Sequence, residues 1–256
     1  MVQVTPTLRR DLLRAGAAFT AGGTFVTGCG TTGTATAASP ATTPTPTSLP
    51  PSASPTRLPF QVTHGPRTTA SVALTFHGQG DPALADRLLA TAEQHGAHLT
   101  VLAVGSWLDA YPAMARRVLD GGHDLGNHTQ RHVSINAMAE ADARKEITDC
   151  AERLRRLTGS IGSWFRPSRA PTASPLVARL AAEAGYPHVL SYDVDSLDYT
   201  RPGASAITRK VLAEVTGGSV VSMHFGYPDT VAALPAVLQE LHRRGLRAVT
   251  TTELLS

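Results

Sequence analysis

Short apolar runs alternate with longer amphipathic segments from about residue 68 to the end of the chain, and few folds accommodate that order. The apolar runs have the length of β-strands and lie at 71–76, 99–104, 123–126, 163–166, 188–192, 219–223 and 247–250. The amphipathic segments have helical spacing and lie at 82–95, 114–119, 137–157, 175–184, 206–215 and 231–243. Regular strand–helix alternation favours parallel strands joined by right-handed crossovers. We therefore predict an α/β sheet or barrel of seven strands.

Polar residues stand at the ends of these runs, or just beyond them. They are His77, His128, Arg166, Asp195, Asp198 and His224. In parallel α/β barrels, chemistry collects where strands end and loops begin. We therefore expect these side chains to share one site.

Two of these positions point to a metal. His128 and His132 are four residues apart, and a helical turn or tight loop can aim both imidazoles at a common point. The spacing is weak evidence alone, but Gly126-Asn127 and the converging strand ends strengthen it. The pattern indicates a metal site.

Four motifs in order resemble the polysaccharide deacetylases, the NodB-homology family of carbohydrate esterases. Asn127 to His132 resembles that family's HxxxH motif, Arg166-Pro167-Ser168-Arg169 its RxPY, Asp195-Ser196-Leu197-Asp198-Tyr199 its DSxDW, and Met223-His224 its LxH. The likeness runs from about Ser71 to Leu255. It implies a distorted (β/α)7 barrel and a metal-dependent hydrolase that removes N-acetyl groups from peptidoglycan or another GlcNAc-containing polysaccharide.

The first motif departs from the family. In place of TFDDG, whose first Asp is the family's catalytic base and whose second is a metal ligand, the chain reads Thr75-Phe76-His77-Gly78-Gln79, followed by Gly80. His77 takes the position of the base and Gly78 that of the ligand. A glycine cannot ligate a metal through a side chain.

Two interpretations follow. In the first, His77 joins His128 and His132 in a three-histidine set, which suits zinc with an open position for water; Asp81 could instead supply an oxygen ligand or the general base. In the second, the protein is a noncatalytic glycan-binding lipoprotein with a decayed site. We favour the first, because a decayed site need not keep its other polar residues. Deacylation of a smaller N-acyl compound is a further alternative, since Gly78 and Arg169 alter two motifs.

The resemblance also implies roles. His224 would protonate the leaving amine and Asp198 would orient it. Arg166 would lie near the imidazole of His77 and lower its pKa. Together with His77 and Asp81 these form the predicted catalytic set. Arg169, where the family has Tyr, and Tyr199 are predicted to contact the substrate.

The first residues have the pattern of an export signal. Arg9-Arg10 precedes a weakly apolar stretch, Ala15 to Val26, which predicts twin-arginine export. Val26-Thr27-Gly28-Cys29 resembles a lipobox, in which Cys29 is lipidated. We predict an export signal at 1–28, a lipidated and Thr/Pro/Ala/Ser-rich tether at 29–67, and the deacetylase-like domain at 68–256. The protein would be extracytoplasmic, either lipid-anchored at the cell membrane or secreted.

Charge argues against a nucleic-acid partner. The chain has 23 Lys+Arg and 20 Asp+Glu, and removing residues 1–28 takes away three Arg and one Asp, which leaves 20 against 19. A near-neutral chain attracts neither nucleic acid nor anionic lipid strongly. We expect a monomer that meets the membrane through its lipid anchor. Cys150 lies on the apolar stripe of a predicted helix and should be a small core residue.

Overall fold

Residues 58–256 are described by a computed structural model, and the predicted export signal, Cys29 and the tether before residue 58 lie outside the described residues. The strands are β1 Gln61–Val62, β2 Ser71–Gly78, β3 Thr100–Ala103, β4 Asp124–Asn127, β5 Val189–Leu190, β6 Val194–Asp195, β7 Val220–His224 and β8 Arg247–Val249. The helices are α1 Pro82–Gln94, α2 Gly105–Ala110, α3 Ala113–Asp120, α4 Glu140–Thr158, α5 Pro175–Glu183, α6 Ala204–Glu214, α7 Pro228–Arg243 and α8 Thr251–Leu254, with short 3-10 helices at Ile135–Ala137 and Asp198–Thr200.

The strands form a parallel sheet that curves around an interior. Its ladder order is β4-β3-β2-β7-β6, and β8 pairs with the first half of β2. Single parallel bridges from Asn127 to Phe165 and from Phe165 to Val189 continue the sheet from β4 to β5, which also pairs with β1. The predicted α/β class is confirmed. Within residues 58–256 no ladder joins β5 to β6.

β2 shows why the fold creates a site. All of its residues are buried, and they alternate between two environments. Leu74 and Phe76 pack into the layer between the strands and helices α1 and α7. Thr75 donates a hydrogen bond to Val221 O and accepts one from Arg166, so the odd-numbered residues face the interior. His77 is the last of that row and therefore lies at the carboxyl end of the barrel.

The predicted helices are confirmed to within a few residues, whereas the prediction of a strand at 163–166 is wrong. The run 163–166 is not a strand, and only Phe165 is bridged. Pro167, which follows it, has no N–H for a ladder. The folded unit also begins before residue 68: Val62 is fully buried in β1, and Gly65 N donates to Gly218 O. The strand β1 lies in the segment that the sequence assigned to the tether, because two residues in a Pro-rich segment show no periodicity.

The prediction that Cys150 is a small core residue is confirmed. It is fully buried on α4, its Sγ donates to Ala103 O, and burial raises the pKa of its thiol to about 12. In the part of the chain that the structure describes, no helix combines the length and apolar character that a bilayer crossing requires.

Candidate active site

Three histidines meet at the carboxyl end of the barrel. His77 ends the interior row of β2, His128 follows β4 directly, and His132 lies in the loop beyond. The ring centroids of His77 and His128 are 4.3 Å apart, those of His128 and His132 4.9 Å, and those of His77 and His132 6.4 Å. One ring nitrogen from each lies within 4.8 Å of the other two, so a single cation can reach all three.

The hydrogen bonds of two rings leave a nitrogen free. His128 Nδ1 lies 3.0 Å from Arg166 O and donates to it, so that Nε2 carries a lone pair. Ser222 Oγ lies 3.2 Å from His77 Nε2 and can accept from it, which leaves the lone pair on Nδ1. These two nitrogens are buried and have no hydrogen-bond partner among the described residues. Buried polar atoms rarely lack partners, and a metal ion held between the rings would satisfy both nitrogens.

The three imidazoles are held neutral. Burial lowers the pKa of His77 well below its usual value, and the charges of His128, His224, Arg166 and His132 lower it further. Burial, followed by the charge of His132, lowers the pKa of His128. For His132, burial and the charge of Arg169 bring the pKa to about 4. Neutral imidazole is the form that binds a metal, so the site is prepared for a divalent cation near neutral pH.

The loop that carries two of these ligands is fastened to α4. Glu146 is buried and accepts hydrogen bonds from both Arg131 N at 2.8 Å and Arg131 Nε at 2.6 Å. Thr129 N donates to Asn127 Oδ1. Thr129 and His132 have φ values of 69° and 55°, a left-handed conformation that nonglycine residues adopt only where contacts enforce it. Sequence reasoning assigned no role to Glu146, and its place on the buried stripe of α4 was the available signal.

Replacing Glu146 with alanine should loosen this loop. Arg131 N would lose its acceptor, and we expect the free energy of unfolding to fall by about 1–3 kcal/mol in chemical denaturation. Metal affinity should fall by about 10- to 100-fold, as for other residues that hold ligands in place. Asp149→Ala removes a carboxylate from the same helix that pairs only with Lys145, and it should change neither quantity appreciably. Equal effects of both variants would contradict the anchoring role.

Asp198 and His224 form a second group beside the histidines. The carboxylate is fully buried; its Oδ1 lies 2.6 Å from His224 Nδ1, and its Oδ2 accepts from His224 N at 2.8 Å and from Thr230 Oγ1 at 2.7 Å. With Nδ1 held in this way, Nε2 is the ring nitrogen left for a ligand. The ring centroid of His224 lies 4.1 Å from that of His77. Thr230, in the first turn of α7, was missed from the sequence.

Arg166 lies beneath the site. It is fully buried, donates from Nε to Leu190 O and from one terminal nitrogen to Thr75 Oγ1 and Ser191 O, and burial lowers its pKa to about 10. No carboxylate of the described residues forms an ion pair with it. Its charge contributes to the lowered pKa of His77, as expected from the sequence.

Asp81 does not join the site. It is exposed, and its side chain caps α1 by accepting from Ala83 N at 2.9 Å. The structure thus accounts for Asp81 as a helix cap and does not place it as a ligand or a base. Position 78 also supplies no ligand. Gly78 has no side chain, and a Cβ there would lie only 2.9 Å from Val101 Cγ1 and 3.1 Å from Ala103 Cα.

Removing the cap tests this placement. Asp81→Ala should lower the free energy of unfolding by about 1 kcal/mol, measured with urea, and leave acetate release from N-acetylated glycan at the wild-type rate. Asp81→Ser keeps a capping hydroxyl without the carboxylate and should restore most of that stability. A large loss of activity in both variants would return Asp81 to the catalytic set.

A cleft of about 370 Å³ opens above these groups. Its lining consists of His77, Gln79, His132, Arg169, Ala170, Pro171, Tyr192, Asp195, Tyr199, Ser222, His224 and Tyr227. Tyr199 is 47% exposed and its ring centroid lies 5.3 Å from that of His224, which suits the predicted substrate contact. Asp195 Oδ1 accepts from Leu197 N and so shapes the loop before Asp198. Arg169, the other predicted substrate contact, also lines this cleft.

Comparison with known proteins agrees with this architecture. The family model described as polysaccharide deacetylase matches residues 64–189. A peptidoglycan-N-acetylglucosamine deacetylase of Bacillus cereus is 31% identical over 194 residues, which cover 74% of this chain and 90% of that protein. A solved peptidoglycan N-acetylglucosamine deacetylase superposes with a TM-score of 0.72 at 26% identity, over 77% of this chain and 92% of that one.

A CE4 family pseudoenzyme from Bacillus anthracis shares the fold, with a TM-score of 0.72 at 22% identity over 79% of this chain and 70% of that one. The fold and site define a class of hydrolases that act on carbon–nitrogen bonds other than peptide bonds. The chain belongs to the polysaccharide deacetylase family.

Proposed function

We propose that this protein is an exported, membrane-anchored, metal-dependent hydrolase that removes N-acetyl groups from a cell-wall glycan such as peptidoglycan. One observation carries the proposal: the bare, buried nitrogens of His77 and His128 converge with His132 beside the Asp198–His224 pair. Three neutral nitrogen ligands suit zinc. The similar Bacillus cereus protein, named for peptidoglycan N-acetylglucosamine, supports the substrate class.

His77, His128 and His132 would hold the cation, which when bound polarises the acetamide carbonyl and lowers the pKa of water. As a ligand through Nδ1 and a hydrogen-bond donor through Nε2, His77 has no lone pair left to act as a base. Asp81 lies outside the site. His224 is therefore the residue that moves protons in our proposal.

Amide hydrolysis consumes one water and yields acetate and an amine. His224 Nε2 takes a proton from the attacking water and returns it to the departing nitrogen, so that the ring ends the cycle unchanged. Asp198 holds the ring in the correct tautomer and stabilises the imidazolium that exists between the two transfers. The sequence predicted His224 as the acid alone, and the placement of Asp81 adds the role of base.

Anchoring completes the proposal. The twin arginine at residues 9–10 and the lipobox-like residues before Cys29 support export and lipidation. The Thr/Pro/Ala/Ser-rich residues from 30 to 57 would let the folded unit reach glycan beyond the membrane surface. Mass spectrometry of membrane-extracted protein should find acylated Cys29 at the N-terminus, and a soluble, unacylated mature chain would refute the anchor.

A noncatalytic glycan-binding role is the alternative, and one observation favours it. Among residues 58–256, the cluster that could hold a metal consists of three histidines and includes no carboxylate. Elemental analysis with an acetate assay separates the two functions. About one equivalent of divalent metal, together with acetate released from peptidoglycan or chitooligosaccharide, supports the hydrolase. Glycan affinity without bound metal or acetate release supports the binding protein.

A further inference from the structure

The ring of His77 has a single hydrogen-bond partner in the part of the chain that the structure describes, the hydroxyl of Ser222. The two side chains meet because β2 and β7 run in parallel, with Thr75 beside Ser222 and His77 beside His224. Ser222 Oγ lies 3.2 Å from His77 Nε2, and both residues are buried. A hydroxyl can donate or accept, so the direction of this bond decides which ring nitrogen keeps the lone pair.

The surroundings of the pair determine that direction. If Ser222 donated, the ring of His77 would carry its hydrogen on Nδ1, which is buried and has no acceptor among residues 58–256. If His77 donates from Nε2, the hydrogen that lacks an acceptor is that of Ser222 Oγ, and Ser222 lines the cleft, where water or a ligand can accept it. Because burying an N–H without an acceptor is costly, His77 is the donor and its Nδ1 keeps the lone pair.

Both members of the pair depart from the motifs that this chain resembles. TFDDG has an aspartate where this chain has His77. LxH places a leucine two residues before its histidine, and this chain has Ser222 there. A leucine has no atom that could accept a hydrogen bond from an imidazole. The two departures are therefore in direct contact, and the serine supplies the acceptor that the histidine requires.

We propose that Ser222 is a positioning residue: by accepting from Nε2, it holds His77 in the tautomer whose Nδ1 can bind a metal. An outer acceptor of this kind fixes both the tautomer and the orientation of a ligand histidine. Arg166 O has the same relation to His128, with a carbonyl in place of the hydroxyl. The inference rests on the proposed metal-dependent function, and it identifies the residue on which the unusual third ligand depends.

The tautomer of His77 can be measured directly in chelator-treated protein with isotope-labelled histidine. Proton–nitrogen NMR correlation spectra distinguish a hydrogen on Nε2 from one on Nδ1, and the signals of His77 are those that disappear in His77→Gln. Wild type should carry the hydrogen on Nε2. Ser222→Ala and Ser222→Leu should give a mixture of both tautomers, because neither ring nitrogen then has an acceptor. Ser222→Thr keeps the hydroxyl and should match wild type.

Zinc affinity, measured by competition with a chelating dye, is the second readout. Ser222→Ala and Ser222→Leu should bind zinc about 10- to 100-fold more weakly than wild type, whereas Ser222→Thr should restore most of the affinity. Ser71→Ala is the matched control, because it removes a buried hydroxyl from the first residue of β2, at the opposite end of that strand from His77. It should change neither the tautomer nor the affinity.

Two results would overturn the inference: an unchanged tautomer in Ser222→Ala, or a zinc affinity in that variant within about twofold of wild type. Thermal unfolding shows whether each variant keeps its fold, and Ser222→Ala carries the test if the larger leucine is not accommodated. If wild type and Ser222→Thr bind zinc but release no acetate from peptidoglycan or chitooligosaccharide, the proposed deacetylation fails and the role of Ser222 stands.

Discussion

Alanine at His77 will cost the protein its metal as well as its activity. The Nδ1 atom of His77 is one of two buried nitrogens without a hydrogen-bond partner, and it lies within ligand distance of His128 and His132. Removing one of three ligands should reduce zinc affinity by more than the roughly 10- to 100-fold lost when a supporting residue is removed. We expect less than a tenth of an equivalent of zinc after dialysis, and no detectable acetate release.

His242→Ala controls for the loss of an imidazole, because that residue is exposed near the end of α7, away from the cleft. It should retain a full equivalent of metal and normal activity. His128→Ala should match His77→Ala in both measurements. If His77→Ala kept its zinc and lost only the rate, His77 would be a base and the three-histidine centre would be wrong.

Asparagine at Asp198 should produce the second large effect, on the rate alone. The carboxylate Oδ1 accepts from His224 Nδ1, and Oδ2 accepts from His224 N and Thr230. An amide nitrogen in the place of Oδ1 would donate to Nδ1, and the proton would move to Nε2, where a base needs its lone pair. The same exchange in serine-protease triads lowers kcat by about 10⁴. We expect kcat to fall by about 10³- to 10⁴-fold with metal content unchanged.

Asp195→Asn is the comparison, because this carboxylate caps a loop nearby and does not touch His224. Its kcat should stay within about tenfold of wild type. Thermal unfolding of both variants shows whether the fold survives, since Asn keeps the size of Asp. A loss in Asp198→Asn that appears in KM with kcat intact would make the pair a substrate-binding device instead of a proton carrier.

Much of this fold could be read from local patterns. The six longer helices were predictable because each carries an amphipathic stripe that packs on the sheet, whereas the short helices α2 and α8 were not predicted. The short strands β1 and β6 could not be predicted, since two residues define no period and their pairing partners are distant in sequence. The segment around Phe165 was misjudged for the opposite reason. Its apolar letters look like a strand, but the neighbouring Pro167 limits it to single bridges.

The site residues likewise fall into those that local motifs identify and those whose roles depend on distant contacts. Motif spacing identified His128, His132 and His224, because each motif lies within a few residues of one strand end. The role of His77 depended on Ser222, which pairs across from Thr75 only when β2 and β7 lie side by side in a particular register. The candidate role of Asp81 rested on chain proximity, and the helix that begins after it takes its side chain away.

The close packing around Gly78 restricts which residues position 78 can accommodate. A side chain there would press on Val101 and on the backbone of β3, which is fixed by pairing on both edges. Introducing an aspartate ligand at position 78 therefore requires room to be made both at the Val101 side chain and at the backbone of Ala103.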